Sequence, residues 1–347
     1  MPINTNLQLS IVLPIYNVEP YLEKCIRSLE DQDIENNTYE IICVNDGSPD
    51  NSKQVIEKLQ QEFSNIILIN QENKGVSVAR NVGIKQAKGN YLLFVDPDDS
   101  LQTNCLPSLL NYAETNNYEV VFSPFTFVEI NGDQKESKYS DGLEKLMDGP
   151  TLYHAVRGKE IVDPDRSVAI LYKKELLSNN VLEYVKNIPY LEDGEFIARV
   201  LCLTQRGSVY NKPYYLRLNR PGSATKSNLS IQLISIKGFF IALKSLVNFK
   251  KKRNLNEKQK EFLNQPICKF VLLAIHACVS KIDIKKFKFV KKEIQKKSLV
   301  KLDLKGCNAR YTKLGRVYNR SINYFFVYLI FKNGKNFINA RLLKNNF

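Results

Sequence analysis

The stretch that decides the fold is YLLFVDPDDS, residues 91–100. Five apolar or aromatic residues, Tyr91 to Val95, run straight into three carboxylates, Asp96, Asp98 and Asp99. A short apolar run of this kind reads as a buried strand. Ionised carboxylates held this close raise one another's pKa. The strand therefore delivers a charge cluster that calls for a metal ion, a Lys or Arg, or open water.

The same pattern recurs upstream. LSIVLPIYN (Leu9 to Asn17) reads as a buried strand ending at Pro14, and EIICVNDGS (Glu40 to Ser48) as one stopping at the turn dipeptide Asp46-Gly47. NIILIN (Asn65 to Asn70) is a third strand, which makes Tyr91 to Val95 the fourth. Between them, Leu22, Cys25, Ile26 and Leu29 fall at helical spacing, as do Val55, Ile56, Leu59 and Phe63. A further helix spans Val76 to Ala87, with Gly89 just beyond it. Short apolar strands alternating with helices of about ten to fifteen residues imply an α/β fold with a mainly parallel sheet flanked by helices. In such sheets ligands bind outside the carboxyl ends of the strands. Tyr16 and Asn17, Asp46, Asn73 and Lys74, and Asp96 to Asp99 all follow strands and are expected on that one edge.

Residues 105–230 are less regular. Val120 to Val128 and Ser208 to Leu218 each read as one strand, and 131–150 as a polar surface loop. NIPYLEDGEFIAR (Asn187 to Arg199) places Glu192, Asp193 and Glu195 at a helix start. Charge then marks a boundary. Residues 231–347 carry 27 Lys+Arg against 5 Asp+Glu, a net of +22, out of 50 and 36 in the whole chain. Residues 1–230 therefore hold 50 − 27 = 23 basic and 36 − 5 = 31 acidic residues, a net of −8. We read 1–230 as a catalytic domain and 231–347 as a basic, mostly helical region. Its apolar runs fall short of the ~20 residues that span a bilayer. Helices mixing Lys with Phe, Leu and Ile suit an anionic membrane surface; the alternative is a bundle with a solvated basic exterior.

The composition also excludes some classes. Seven scattered cysteines and two histidines form neither a disulfide framework nor a zinc site. The amino terminus lacks the basic and apolar regions of a signal peptide. An EF-hand is excluded because Leu101, not Gly, stands at the sixth loop position.

IVLPIYN, VNDGSPDNS, NKGVSVARNVG, FVDPDD and LEDGEF occur in this order over the first 200 residues. Together they resemble the family 2 glycosyltransferases, inverting enzymes of the Rossmann-like GT-A fold that use nucleotide-diphosphate sugars. The resemblance covers roughly residues 8–225 and implies a role for each motif. Pro14, Tyr16 and Asn17 would form the first nucleotide-contacting loop. Asp46 would hydrogen-bond the base, which suits the imide of a uracil-type edge. Lys74 and Arg80 would face the pyrophosphate, and Arg220, in a closing loop with Gly222 and Ser223, would cover the donor phosphates. Asp96, Asp98 and Asp99 resemble the metal-binding DxD signature for Mn²⁺ or Mg²⁺, with Asp98 the main ligand and Asp96 near the ribose. Asp193 would be the catalytic base. The implied function is transfer of a sugar, most readily from a UDP-type donor, to a glycan or lipid-linked hydroxyl in surface-polysaccharide assembly. The implied location is cytoplasmic, peripheral at the inner membrane face, with no nucleic-acid partner.

The segment before LEDGEF departs from the family pattern at Val168-Ala169-Ile170, which leaves the acceptor open. With no Trp in the chain, sugar stacking would fall to residues such as Tyr153 or Tyr190. Two other readings compete. A haloacid-dehalogenase-type phosphatase would use Asp96 as nucleophile and Asp98 as acid, although that motif belongs on a first strand. A non-catalytic membrane- or nucleotide-binding adaptor would rest on the basic tail.

Overall fold

The computed structural model describes residues 7–157, 164–220, 232–279 and 282–332. They form two compact units, one from 1–186 and 192–223, the other from 187–191 and 224–347.

In the first unit, strands β1 (Leu9–Ile15), β2 (Tyr39–Asp46), β3 (Ile66–Gln71) and β4 (Tyr91–Phe94) alternate with helices α1 (Glu19–Glu30), α2 (Ser52–Leu59) and α3 (Val76–Gln86). β1 runs parallel to β2 and β4, and β2 parallel to β3, so their carboxyl ends share one edge. Every residue of β1 and β2 is buried, as in a sheet covered on both faces. β1 continues one residue past its expected end at Pro14. Its pairing with β4 stops at Val12, whose carbonyl accepts from the Val95 N–H at 3.1 Å. Pro14 faces the same side two residues on and has no N–H to donate, which is where the β1–β4 ladder stops.

The remaining strands are β5 (Ser100–Leu101), β6 (Val120–Phe122), β7 (Phe125–Glu129), β8 (Gln134–Glu136), β9 (Ile170–Lys173), β10 (Gly207–Val209) and β11 (Tyr215–Asn219). Helices α4 (Leu106–Thr115), α5 (Gly149–Ala155), α6 (Lys174–Asn179) and α7 (Glu192–Leu203) accompany them. The main sheet has the order β10-β6-β9-β4-β1-β2-β3, and β9 runs antiparallel to both neighbours. A second, four-stranded sheet has the order β5-β11-β7-β8, its strands interleaved in sequence with those of the first. Each of the two long strands expected here is two strands in different sheets. Val120 to Val128 divides at Ser123-Pro124 into β6 and β7, and Ser208 to Leu218 divides before Pro213 into β10 and β11. A proline lacks the N–H that a continuous central strand needs, and both chains change sheets there. The Ser123 hydroxyl donates to the Lys212 carbonyl at 2.6 Å, stitching the two crossings together. The polar stretch after residue 130 contains a hairpin. Gly132, at φ +91°, closes it by donating to the Glu129 carbonyl at 2.9 Å, and β8 returns along β7.

The second unit is helical: α8 (Leu233–Lys252), α9 (Glu257–His276), α10 (Ile284–Lys296) and α11 (Ala309–Arg320), followed by a helical turn sequence over 322–332. Asn256 and Gln259 form a capping box at the start of α9. Phe239, Leu243, Leu246, Phe262, Phe270 and Val271 are buried in its core. Among the described residues no helix is long and apolar enough to cross a membrane.

Candidate functional site

The residues expected at the sheet edge are there. Asp46, the last residue of β2, is 3% exposed. Its Oδ1 accepts from the Lys74 N–H at 2.8 Å and the Gln71 amide at 2.6 Å, and its Oδ2 from the Gly75 N–H at 2.8 Å. An ionised carboxylate offers about four acceptor positions, so three bonds leave one for a base N–H. Asp46 thus also ties the 71–75 loop to the start of α3. Gly47 completes this corner, since at φ +66° a Cβ would meet the Asn73 nitrogen at 2.8 Å. Tyr16 is 49% exposed beside it. Asn17 takes φ +53°, and its N–H donates to the Ser48 hydroxyl at 2.7 Å. The Lys74 side chain is exposed.

The acidic run after β4 is a tight turn. The Asp99 N–H donates to the Asp96 carbonyl at 3.0 Å with Pro97 in the second position, where its fixed φ suits the turn. Each carboxylate has its own partner. Asp96 Oδ1 pairs with Arg80 Nη2 at 3.1 Å. Asp98 Oδ2 pairs with Arg220 Nε at 2.7 Å, and the Arg220 guanidinium lies 4.8 Å from the centre of the Tyr21 ring. Asp99 is buried; its Oδ2 accepts from the Tyr215 hydroxyl at 2.7 Å and its Oδ1 from the Leu218 N–H at 2.8 Å. The same Tyr215 oxygen accepts from the Asp96 N–H at 3.0 Å. Asp99 and Tyr215 therefore brace the acidic turn against β11. Burial, then the Asp96 charge, raises the pKa of Asp98, and burial with the Asp96 and Asp98 charges raises that of Asp99 much further.

Arg80, expected near the pyrophosphate, sits on the buried face of α3 with its side chain 4% exposed and its guanidinium on carboxylates. Its Nη1 reaches Asp193 Oδ1 at 2.8 Å and Glu192 Oε1 at 3.1 Å, while Nη2 holds Asp96. The guanidinium lies 5.3 Å from the centre of the Tyr184 ring. One buried cation thus joins the strand-end aspartate to the start of α7. The packing of α3 carries the reason: its buried side holds the small or polar residues Ser77, Ala79, Arg80, Asn81 and Gly83, and Gly83 is needed because a Cβ there would meet Val12 Cγ1 at 2.2 Å. Asn81 pins the Tyr184 backbone in both directions, at 2.9 and 2.7 Å.

Asp193 is held by one oxygen. Oδ1 accepts from Arg80 and, at 2.6 Å, from the Ser167 hydroxyl, which also bonds the Tyr184 hydroxyl. Oδ2 has no hydrogen-bond partner among the described residues, and the side chain is 23% exposed. Burial and the Asp193 charge push Glu192 up to about 7. Glu195, expected with them, is fully buried and pairs with Arg199 at 2.7 Å, so it belongs to the helix and not to the site. Leu191, directly before this pair, takes φ +64°, a conformation a branched side chain adopts at a cost.

Sequence reading did not single out Ser167, Tyr184 or Tyr215. Tyr215 follows a strand break that was not anticipated, and Ser167 lies in a stretch with no motif. Tyr153 is fully buried, with its hydroxyl 3.4 Å from Asp165, so it offers no face to a sugar. Tyr190 packs 6.3 Å from Phe239 within the helical unit. Gly222 and Ser223 lie outside the described residues.

The residues present fit a hard divalent cation. Mg²⁺ or Mn²⁺ is commonly held by one or two carboxylates plus substrate phosphate oxygens. Asp96 and Asp98 each commit only one oxygen to an arginine. Among the described residues no three His, Cys, Asp or Glu side chains form a protein-only cage.

Residues 10–177 match the family described as Glycosyl transferase family 2. The chain is 31% identical to the uncharacterized glycosyltransferase EpsJ of Bacillus subtilis, over 62% of each protein. It is 27% identical to a poly(ribitol-phosphate) beta-glucosyltransferase of Bacillus spizizenii, over 73% of this chain and 38% of that one. The alignments thus span less than two thirds of these relatives' own lengths. The structure of Staphylococcus aureus TarS residues 1–349 in complex with UDP-GlcNAc superposes with a TM-score of 0.68 at 18% identity, covering 95% of this chain and 92% of that one. That likeness is one of fold. Over residues 10–177 the chain thus carries a glycosyl transferase family 2 domain, and the described residues share the GT-A fold.

Proposed function

We propose that the protein transfers a sugar from a UDP-type nucleotide-diphosphate donor, with inversion and with Mn²⁺ or Mg²⁺, to a hydroxyl of a glycan or lipid-linked acceptor in surface-polysaccharide synthesis. One observation carries the reading. Asp193 is anchored through Oδ1 by Arg80 and Ser167 and keeps Oδ2 unengaged, and Arg80 ties it to Asp96 at the strand edge. The base and the donor end of the site are thereby held by one rigid group. The family match and relatives named as glycosyltransferases support the same class.

In this mechanism the acceptor hydroxyl attacks the anomeric carbon from the face opposite the leaving group, and its proton passes to Asp193 Oδ2. The new carbon–oxygen bond forms as the bond to the nucleotide diphosphate breaks, and the electron pair leaves on that diphosphate. A base within hydrogen-bond reach contributes about 10²- to 10⁴-fold. Asp46 has one acceptor position left for the imide of the base, beside Pro14, Tyr16 and Asn17. Asp98, with Asp96, would hold the cation, which supplies charge neutralisation on the leaving group when bound. Asp99 braces the turn, its two oxygens already engaged by Tyr215 and Leu218. Lys74 and Arg220 are the cations open to the diphosphate, whereas Arg80 is a positioning residue for Asp193. The helical unit makes the contact with an anionic membrane surface on which a lipid-linked acceptor would be met.

The test is release of UDP from UDP-sugars by wild type and by Asp193→Asn. Asn retains the Oδ1 acceptor for Arg80 and Ser167 but removes the base. We expect donor binding to persist and UDP release to fall by about 10²-fold or more. Wild-type turnover by Asp193→Asn would overturn the assignment.

A further inference from the structure

The helix over 322–332 is apolar on two faces. Ile322, Phe325, Phe326 and Leu329 are buried, and Phe326 stacks on Phe287 of α10 with ring centroids 4.0 Å apart. The opposite face holds Tyr324, Val327 and Phe331, which are 50%, 45% and 69% exposed. Their spacing of three and four residues aligns them along one stripe. A surface helix ordinarily turns polar residues outward, so this second stripe marks a docking face. The surroundings identify its occupant. Residues 282–332 carry 14 Lys+Arg and 3 Asp+Glu. Lys291 of α10 donates to the Asn323 side chain at 3.1 Å, next to the stripe, and Lys332 follows it on the same helix. A second copy of the chain would bring like charge against like charge across such a face. An anionic surface would meet lysines and apolar side chains together, and tyrosine with lysine is suited to the boundary between headgroups and acyl chains.

We propose that Tyr324, Val327 and Phe331, flanked by Lys288, Lys291 and Lys332, form the face by which the helical unit lies on an anionic lipid bilayer. The aromatic and aliphatic side chains enter the acyl boundary while the lysines reach phosphate headgroups. This rests on the membrane-contact part of the proposed function and gives it an address. It does not depend on which sugar is transferred.

The experiment is flotation of the full chain with vesicles of phosphatidylcholine alone or with phosphatidylglycerol. Wild type is expected to float with the anionic vesicles and, at moderate salt, not with the neutral ones. Val327→Ser with Phe331→Ser should weaken that partition by about tenfold or more, and Lys288→Gln with Lys291→Gln should weaken it by severalfold. Neither pair should move the melting temperature without lipid by more than about a degree or two, because Val327, Phe331 and Lys288 are exposed and the Lys291–Asn323 hydrogen bond lies at the surface. Wild type that ignores anionic vesicles overturns both the face and the membrane reading. The Val327/Phe331 variant floating like wild type, while the lysine variant does not, overturns the face alone. A marked fall in melting temperature without lipid would show that the chain itself covers the stripe. A wild-type dimer dissociated by the Val327/Phe331 variant would show a second copy there. UDP-induced stabilisation should be equal in all these variants, which keeps this result separate from the transferase assignment.

Discussion

Replacing Arg80 by methionine tests whether one buried cation holds the site together. Methionine fills much of the same volume but removes the charge. Arg80 is 4% exposed and contacts three carboxylates, Asp96, Glu192 and Asp193, at 2.8–3.1 Å. Without it, those three charges face one another at the edge of the core. Breaking a buried ion pair from one side costs about 3–5 kcal/mol. The Asp96 side chain is 38% exposed and finds water, so the lower end, about 3 kcal/mol, is the better expectation. At roughly 2–4 °C per kcal/mol, melting should fall by about 6–12 °C near pH 8. The deficit should shrink toward pH 5.5, where Glu192, pushed up to about 7, is protonated and one repelling charge is gone. Arg27 is the control. It also bonds two carboxylates, Glu23 and Glu62, at 2.9 Å, but its side chain is 42% exposed. Exposed pairs of this kind contribute little. Melts of Arg80→Met and Arg27→Met across pH 5.5–8 decide the matter. A loss for Arg80→Met no larger than for Arg27→Met would refute the reasoning.

Other consequences can be measured on the same protein. Glu192 has a folded value of about 7, above the 4.5 of a free glutamate, because of burial and Asp193. Between those pH values the unfolded chain loses the proton first, so this group's contribution to stability is full below pH 4.5 and falls as pH rises through 7. Glu192→Gln should flatten that fall in urea titrations; an unchanged pH slope would contradict it. Tyr215→Phe removes the donor to Asp99 and the acceptor for the Asp96 N–H, and should cost about 1–3 kcal/mol in the same titrations. Gly89→Ala would set a Cβ 2.4 Å from the Leu9 carbonyl carbon at the base of β1, and should destabilise more than Gly132→Ala, where the space is open and only the backbone strain of φ +91° is added. Equal melts for the two glycine variants would refute that comparison.

The first hundred residues were legible because their signals are local. Each strand there is a short apolar run ended by a turn, and the parallel pairing of β1, β2 and β4 brings Asp46 and Asp96 to the same edge. The later part was less so. A run such as VVFSPFTFV has strand composition throughout, and only Pro124 marks that β6 and β7 belong to different sheets. Composition does not reveal where a chain changes layers. Arg80 shows the limit for the site. Its charge and its place in NKGVSVARNVG suggested a phosphate contact, and the buried side of α3 turns it inward, to carboxylates from residues 16 and more than 100 positions away. Ser167 and Tyr215 act through contacts of 26 and 116–119 residues' separation, and no local spacing encodes those.

The central claim is that the strand-end aspartates form a metal-dependent donor site. Thermal melting of wild type and Asp98→Asn with UDP or UDP-sugars, each with Mn²⁺ and with chelator, tests it most directly, since a ligand that binds only the folded state raises its melting temperature. We expect wild type to be stabilised by UDP ligands with Mn²⁺ and much less with chelator, and Asp98→Asn to lose the metal-dependent part. Equal stabilisation with and without metal, or an undiminished response in Asp98→Asn, would contradict the account.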